Sequence, residues 1–306
     1  MSIDLSKVTA LSDQYGAWKQ VADASGRVIW AVQNSKPAVL QVAKITSNTY
    51  AGETTYTAEE FILLDIYPKT NGTVTVTYGG LTKTITDTSG AAEPNAQQVS
   101  FGTFNGVSDS VATPASGELT IEGDYYAFGC GVFVSGLDSK SNETTGYCNC
   151  VTAIPDFGSA EIIPEYAFMN CFYSTSQNPV MGDLIIPEGI RKIDGMAFYT
   201  TSNSYILGAF SSVTLPSTLL EMGQSAFTGM GKMQESYKFV QTRICTILAS
   251  NPPILTEILE GMEPTPFGDL SGLTKIEAIY VPKGCGEAYK AAYGWRIYES
   301  IIMEVE

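Results

Sequence analysis

The chain has 306 residues, 44% of them hydrophobic and only 16% charged, which supplies a folded core and excludes global disorder. It carries 32 acidic against 17 basic residues, a formal charge of −15, and contains no histidine. Without a Lys/Arg cluster to displace phosphate counterions, nucleic acid and charge-driven membrane binding are not expected. Without His, Ser-His-Asp and Cys-His catalysis fall away together with the usual metal ligand. No run approaches the roughly 18 apolar residues of a membrane span, and the length suits two or three domains.

In chain order, residues 1–36 read as a connector or attachment segment. MSIDLSKVTALSDQYGAWKQ lacks a basic start followed by an apolar core, so no secretory signal is expected and synthesis in a cytoplasm follows; the alternative is a signal removed from in front of it. KQVADASGRVIWAV suggests a hairpin, with Asp23 to Gly26 as the turn and Val28, Ile29 and Trp30 returning. Val21, Val28, Ile29 and Trp30 are the candidate attachment residues. Residues 37–136 are rich in Thr, Val, Gly, Tyr and Ser. Segments such as FILLDIYPK, TVTVTYGG, LTKTITDT, QQVSFGTF and GELTIEGDYYAFGCGVFVSG alternate or run β-branched between turn residues, which predicts an immunoglobulin-like β-sandwich. The Cys-Trp-Cys core of antibody domains is missing, so the expectation concerns architecture alone.

Residues 137–306 repeat. Ala167-Phe168, Ala197-Phe198 and Ala226-Phe227 place their phenylalanines 30 and 29 residues apart, and Pro266-Phe267 follows after 40. Four residues before each small residue stand Ile163, Ile193, Met222 and Met262; three further back stand Ala160, Ile190, Leu219 and Leu259; three after each Phe stand Cys171, Thr201, Met230 and Leu270. A second half-motif alternates at period two and stops at proline: Met181-x-x-Leu184-x-Ile186-Pro187, Phe210-x-x-Val213-x-Leu215-Pro216 and Ile276-x-x-Ile279-x-Val281-Pro282. Alternation puts the apolar residues on one strand face, and Pro, lacking an N–H, ends the ladder. Each unit is too small to bury its own apolar face, but stacked units share a core, so a solenoid is predicted.

The phrase I-x-x-I-x-x-x-A-F-x-x-C followed by an I-x-I-P strand resembles the BspA-like class of leucine-rich repeat. The run from Pro252-Pro253 through the Ile279–Pro282 strand to Tyr289–Trp295 resembles that family's closing module, a resemblance covering about residues 147–306. It implies a short leucine-rich-repeat solenoid with a C-terminal cap, of the kind found on bacterial surface proteins and in gut phage and prophage proteins. Ala22–Trp30 and Thr77–Ser89 resemble virion-associated proteins of phages and prophages in gut Firmicutes, which implies a particle-facing front and an outward-facing end. The chain departs from the repeat family in its long segments after Cys171 and Thr201 and in keeping the consensus Cys only once.

Catalytic patterns are missing. No P-loop is present, Gly129-Cys130-Gly131 lacks the third glycine of a dinucleotide fingerprint, and Gly223-Gln224-Ser225-Ala226-Phe227 fails the nucleophile elbow at its last position. Cys148 and Cys150 stand one residue apart, short of a zinc spacing; the six cysteines read as small buried residues. Glu59-Glu60 and the acids Asp138 and Glu143 of DSKSNET offer carboxylates to a cation, against a default reading as solvated loop. No cofactor and no metal are expected. Phe172, Tyr173, Tyr199 and Tyr205 sit among small polar residues in the long insertions, where aromatic anchors suit a binding face or cover an imperfect core. The expectation is therefore a mainly β, non-enzymatic phage structural protein, tail or head appendage. It is located in the virion, attached by its front to other virion proteins, homo-oligomeric, and binding a host-surface glycan or protein. A bacterial cell-surface adhesin is the alternative. A carbohydrate-active enzyme is a third reading and requires clustered acids in a cleft.

Overall fold

Alternating apolar residues organise the front of the chain into antiparallel sheets. The computed structural model describes residues 10–13, 16–22, 28–33, 36–50, 56–91, 95–130, 150–169, 171, 173–174, 182–199, 207–208, 210–228, 244–257, 264–268 and 276–305, and over these the molecule is mainly β. Strands β1 (Ala10–Asp13), β2 (Gly16–Ala22) and β3 (Val28–Gln33) form a sheet of their own. Its second pair has the antiparallel register expected of the hairpin, with Val21 opposite Ile29 and Gln20 opposite Trp30.

Nine strands follow: β4 (Ala38–Ala43), β5 (Ile45–Tyr50), β6 (Tyr56–Pro68), β7 (Thr73–Tyr78), β8 (Leu81–Thr86), β9 (Gln97–Phe104), β10 (Val107–Ser108), β11 (Ser116–Gly123) and β12 (Tyr125–Gly129). One sheet runs β4-β11-β7-β8; the other runs β10-β9-β6-β12 with β5 added to β6. In β7 the residues Val74, Val76 and Tyr78 are buried while Thr73, Thr75 and Thr77 face outward. Thr73 and Thr77 meet Thr86 and Thr82 across the pair at 3.2 Å. Tyr78 crosses to the second sheet and meets Phe101 edge-on at 5.6 Å. The run Phe61–Leu64 is buried on both faces of β6, as a central strand requires.

The second antiparallel sheet does not end at β12. That strand takes β13 (Ile162–Ile163) as a parallel neighbour through Ala127 and Ile162. The ladder continues to β16 (Lys192–Ile193), β19 (Glu221–Gly223) and β21 (Ile254–Thr256). A second parallel ladder joins β15 (Gly182–Ile185), β18 (Phe210–Leu215), β20 (Ile244–Ile247), β22 (Ala278–Val281) and β23 (Ile302–Glu304). The proline-terminated half-motifs at Leu184, Val213 and Ile279 lie in this ladder, with all three side chains buried. Residues 150–156 run beside β4, where Ala43 N–H donates to Cys150 O and Asp156 N–H to Val39 O.

Between the two ladders lie the Ala-Phe turns. The residue before each Ala has positive φ: Tyr166 at 58°, Met196 at 54° and Ser225 at 59°. That sharp turn crowds its next position, and Ala167, Ala197 and Ala226 have no exposed surface. One backbone hydrogen bond per copy then runs through the molecule: Cys130 N–H to Ala167 O, Phe168 N–H to Ala197 O, Phe198 N–H to Ala226 O, and Phe227 N–H to Pro266 O, at 2.7–2.8 Å. The phenylalanines stack behind it: Phe168 on Phe198 at 5.4 Å, Phe198 on Phe227 at 5.2 Å, Phe227 on Phe267 at 5.7 Å. Such pairs contribute about 0.5–1.5 kcal/mol beyond area burial. Gly223 permits the close approach of two copies, since a Cβ there would lie 2.2 Å from Gly195 N.

Both ends of the aromatic stack are closed edge-on. Phe128 and Phe157 meet Phe168 at 6.2 and 5.9 Å. At the other end Tyr298 meets Phe267 at 5.8 Å. Tyr298 and Trp295 belong to a 3₁₀ segment, Trp295–Ile301, that follows the short helix α1 (Gly286–Ala291). Their polar atoms, with that of Tyr289, cap the last copy: Trp295 Nε1 donates to Pro253 O, Tyr298 Oη to Gly268 O, and Tyr289 Oη to Ala249 O, at 2.7–2.8 Å. One continuous core runs from Ala38 to Ile302. The repeat positions Met181, Thr201, Met230, Leu259, Met262 and Leu270 lie outside the described residues.

Candidate functional site

The outward face of the continuous sheet carries a groove of about 350 Å³, open to solvent, at the seam between β6–β12 and the first parallel strands. Its shape begins with the register of β12. Tyr125 opposes Pro68 and Ala127 opposes Tyr67, so Tyr126 is an extra residue in a β-bulge. A bulge re-aims a side chain, and here it sets the Tyr126 ring beside that of Tyr67, at 5.8 Å and tilted 57°. Across the sheet the register row reads Tyr67, Ala127, Ile162, Lys192, Glu221. Small, buried Ala127 leaves the depression; Ile162 and Pro164 continue the floor, and Leu220, 59% exposed, forms part of the rim.

Paired charges complete the wall. Lys192 Nζ lies 2.9 Å from Asp194 Oδ1 and 3.9 Å from Glu221 Oε2. Arg191 reaches Glu161, which also holds Lys69 Nζ at 2.6 Å. Burial works to raise the Glu161 pKa, but the hydrogen bond and charge of Lys69, with Arg191 behind it, prevail and hold it below the usual carboxylate range. Tyr67 is pushed up to about 12, first by burial and then by the negative charge of Asp65, with Tyr126, Asp194 and Glu165 adding to it. Burial alone pushes Asp65, two residues earlier on the same face of β6, up to about 6. The groove thus combines an aromatic pair with alternating hydrogen-bond donors and acceptors. Among the described residues no group of three or more His, Cys, Asp or Glu is placed to hold a metal ion, and no helix is long and apolar enough to cross a membrane.

Of the sequence-predicted binding residues, the backbone of Tyr173 and the whole of Tyr199 are described. Tyr173, in β14 (Tyr173–Ser174), pairs with Gly208 of β17 (Leu207–Gly208), so the two insertions meet through their backbones. Tyr199 is half-buried directly after Phe198. Phe172 and Tyr205 lie outside the described residues, and Tyr199 is not among the residues that line the groove. Val21, Val28, Ile29 and Trp30 pair through their backbones within the β1–β3 sheet. Of the acids offered to a cation, Glu59 is buried and committed to structure: its carboxylate accepts from Asn105 N–H at 2.9 Å and Gly106 N–H at 2.7 Å, holding the β9–β10 turn. Asp138, Glu143 and Cys148 are outside the described residues. Cys130, Cys150, Cys171 and Cys245 are buried. Sequence reasoning missed the groove; the available signals were the doubled tyrosine of DYYAFG and the outward Tyr of DIYPK. No protein-family model matches this chain, and no curated protein matches it in sequence.

Proposed function

We propose that this chain is a non-enzymatic structural protein of a phage particle, a tail or head appendage that displays a surface-binding face. Residues 1–36 attach it to other virion proteins, residues 37–136 form an immunoglobulin-like sandwich, and residues 137–306 form a BspA-like leucine-rich-repeat solenoid with a C-terminal cap. The observation that carries the binding part is the groove of aromatic and paired charged residues on a sheet running without interruption from β6 through the repeats. A face built on paired strands and backed by a continuous core is rigid, which favours binding by lowering the ordering cost. The particle part rests on the resemblance of Ala22–Trp30 and Thr77–Ser89 to virion-associated proteins.

Acid–base catalysis is the less favoured reading, because Asp194 and Glu221 in the groove both reach Lys192; paired in this way they suit hydroxyl recognition better than proton transfer. Mass spectrometry of purified particles from a culture encoding the gene tests the proposal. The chain is expected there in stoichiometric copy number. Its absence from particles and presence on cell envelopes would overturn the virion role in favour of a cell-surface adhesin.

A further inference from the structure

We infer that the groove at the β6–β12–β13–β16 seam is a saccharide site, taking a neutral, hydroxyl-rich sugar whose ring packs on Tyr126 and Tyr67 and whose hydroxyls meet the Lys192, Asp194 and Glu221 row. The inference rests on the reading of this molecule as a surface binder, though not on its location in a particle.

Size comes first. About 350 Å³ lies at the small end of ligand pockets, which run from ~300 to 1,000 Å³, and the open side leaves room for a longer chain to continue. Two tyrosine rings tilted 57° to one another present two apolar planes with polar tips, a surface suited to a ligand that is apolar on its C–H face and polar at its edge. Charge then selects among such ligands. Lys192 sits between two carboxylates, and Arg191 and Lys69 share Glu161, so each cation already has a carboxylate partner. Beyond the pairs, Asp65 and Glu165 act on Tyr67 with further negative charge. A polyanion would find repulsion and no unmatched cation cluster. A hydroxyl, which donates and accepts at once, fits a row where donors and acceptors alternate. The 3.9 Å separation of Lys192 Nζ from Glu221 Oε2 leaves that half-exposed carboxylate able to accept from a ligand.

A peptide strand is the poorer occupant. Strand addition needs a free sheet edge, and the groove floor is interior sheet, with β12, β13, β16 and β19 each paired on both sides.

The test uses the full chain, with saturation-transfer NMR and calorimetry against lactose, N-acetyllactosamine, maltose, cellobiose and mannobiose, and sialyllactose as the charged comparison. At least one neutral disaccharide is expected to bind with a dissociation constant of about 1 mM or tighter. Tyr126→Ala is expected to weaken it ~10-fold, the loss of an aromatic anchor; Glu221→Gln is expected to weaken it severalfold, and Tyr293→Ala, in the cap, to leave it unchanged. Tyr126→Leu repeats the test with the side-chain bulk kept. Binding of none of the neutral sugars at up to roughly 20 mM, binding of sialyllactose alone, or binding indifferent to Tyr126 and Glu221 would each overturn the inference. If the chain nevertheless binds intact host cells, the surface-binding reading survives and only the saccharide is lost.

Discussion

Phe198 lies between Phe168 and Phe227, with ring centroids at 5.4 and 5.2 Å and planes within 24° and 7° of parallel. Its removal empties a layer that its neighbours are held too firmly to fill. Phe198→Ala is therefore expected to cost about 3–5 kcal/mol in urea unfolding, and Phe198→Leu, which keeps bulk but not the stack, about 1–2 kcal/mol. Equal losses for the two would deny the stack any energetic role. Asp65 makes the second prediction at this scale. Burial raises its folded-state pKa to about 6, above the unfolded value. Its contribution is therefore complete below the ordinary carboxylate range and is lost as pH rises through about 6. Asp65→Asn is expected to exceed the wild type in stability by about 1–2 kcal/mol at pH 8, after allowance for solvent screening, and to show no such gain at pH 4. A gain independent of pH would contradict the assignment.

Among elements, the informative place is the seam where β12 meets the first repeat. Cys130 Sγ and Cys171 Sγ approach to 3.1 Å, joining the end of the antiparallel sheet to the first Ala-Phe turn. Treatment with diamide is expected to take two hydrogens from this pair and form an intramolecular disulfide, while the diazene is reduced to the hydrazine. Peptide mapping should find the 130–171 link in the wild type, and Cys171→Ser should abolish it. Because Cys150 also reaches Cys130, recovery of neither the 130–171 nor the 130–150 link would contradict the described seam. The repeats themselves were legible because Ala and Phe recur with nearly constant spacing, each answering a local demand: a crowded turn after a positive-φ residue, then a ring in the stack. The seam was not legible. It depends on one parallel register pair, Ala127 with Ile162, and on a bulge at Tyr126, and neither leaves a periodic trace. The groove was hidden for the same reason: Tyr67, Tyr126, Lys192 and Glu221 each look like an ordinary outward residue of a strand until the register aligns them. The aromatic-rich insertions drew attention instead, since composition is visible in a sequence and juxtaposition is not.

At the scale of the whole molecule, the shared sheet and core couple the front strands to the repeats. Thermal unfolding followed by calorimetry and by far-ultraviolet circular dichroism is expected to show one coincident transition for the two parts; two separated transitions would mean that the seam transmits little stability. The acidic charge of −15 keeps such a molecule away from polyanions, leaving the recognition of neutral surfaces to geometry and hydrogen bonding. Everything proposed for the groove face depends on its binding a surface at all. The measurement is saturation binding of the fluorophore-labelled chain to intact host cells, wild type beside Tyr126→Ala. Wild-type binding is expected to be saturable, and the substitution to weaken it ~10-fold while the unfolding midpoint stays in place. No saturable binding, or binding that Tyr126→Ala leaves unchanged, would contradict it.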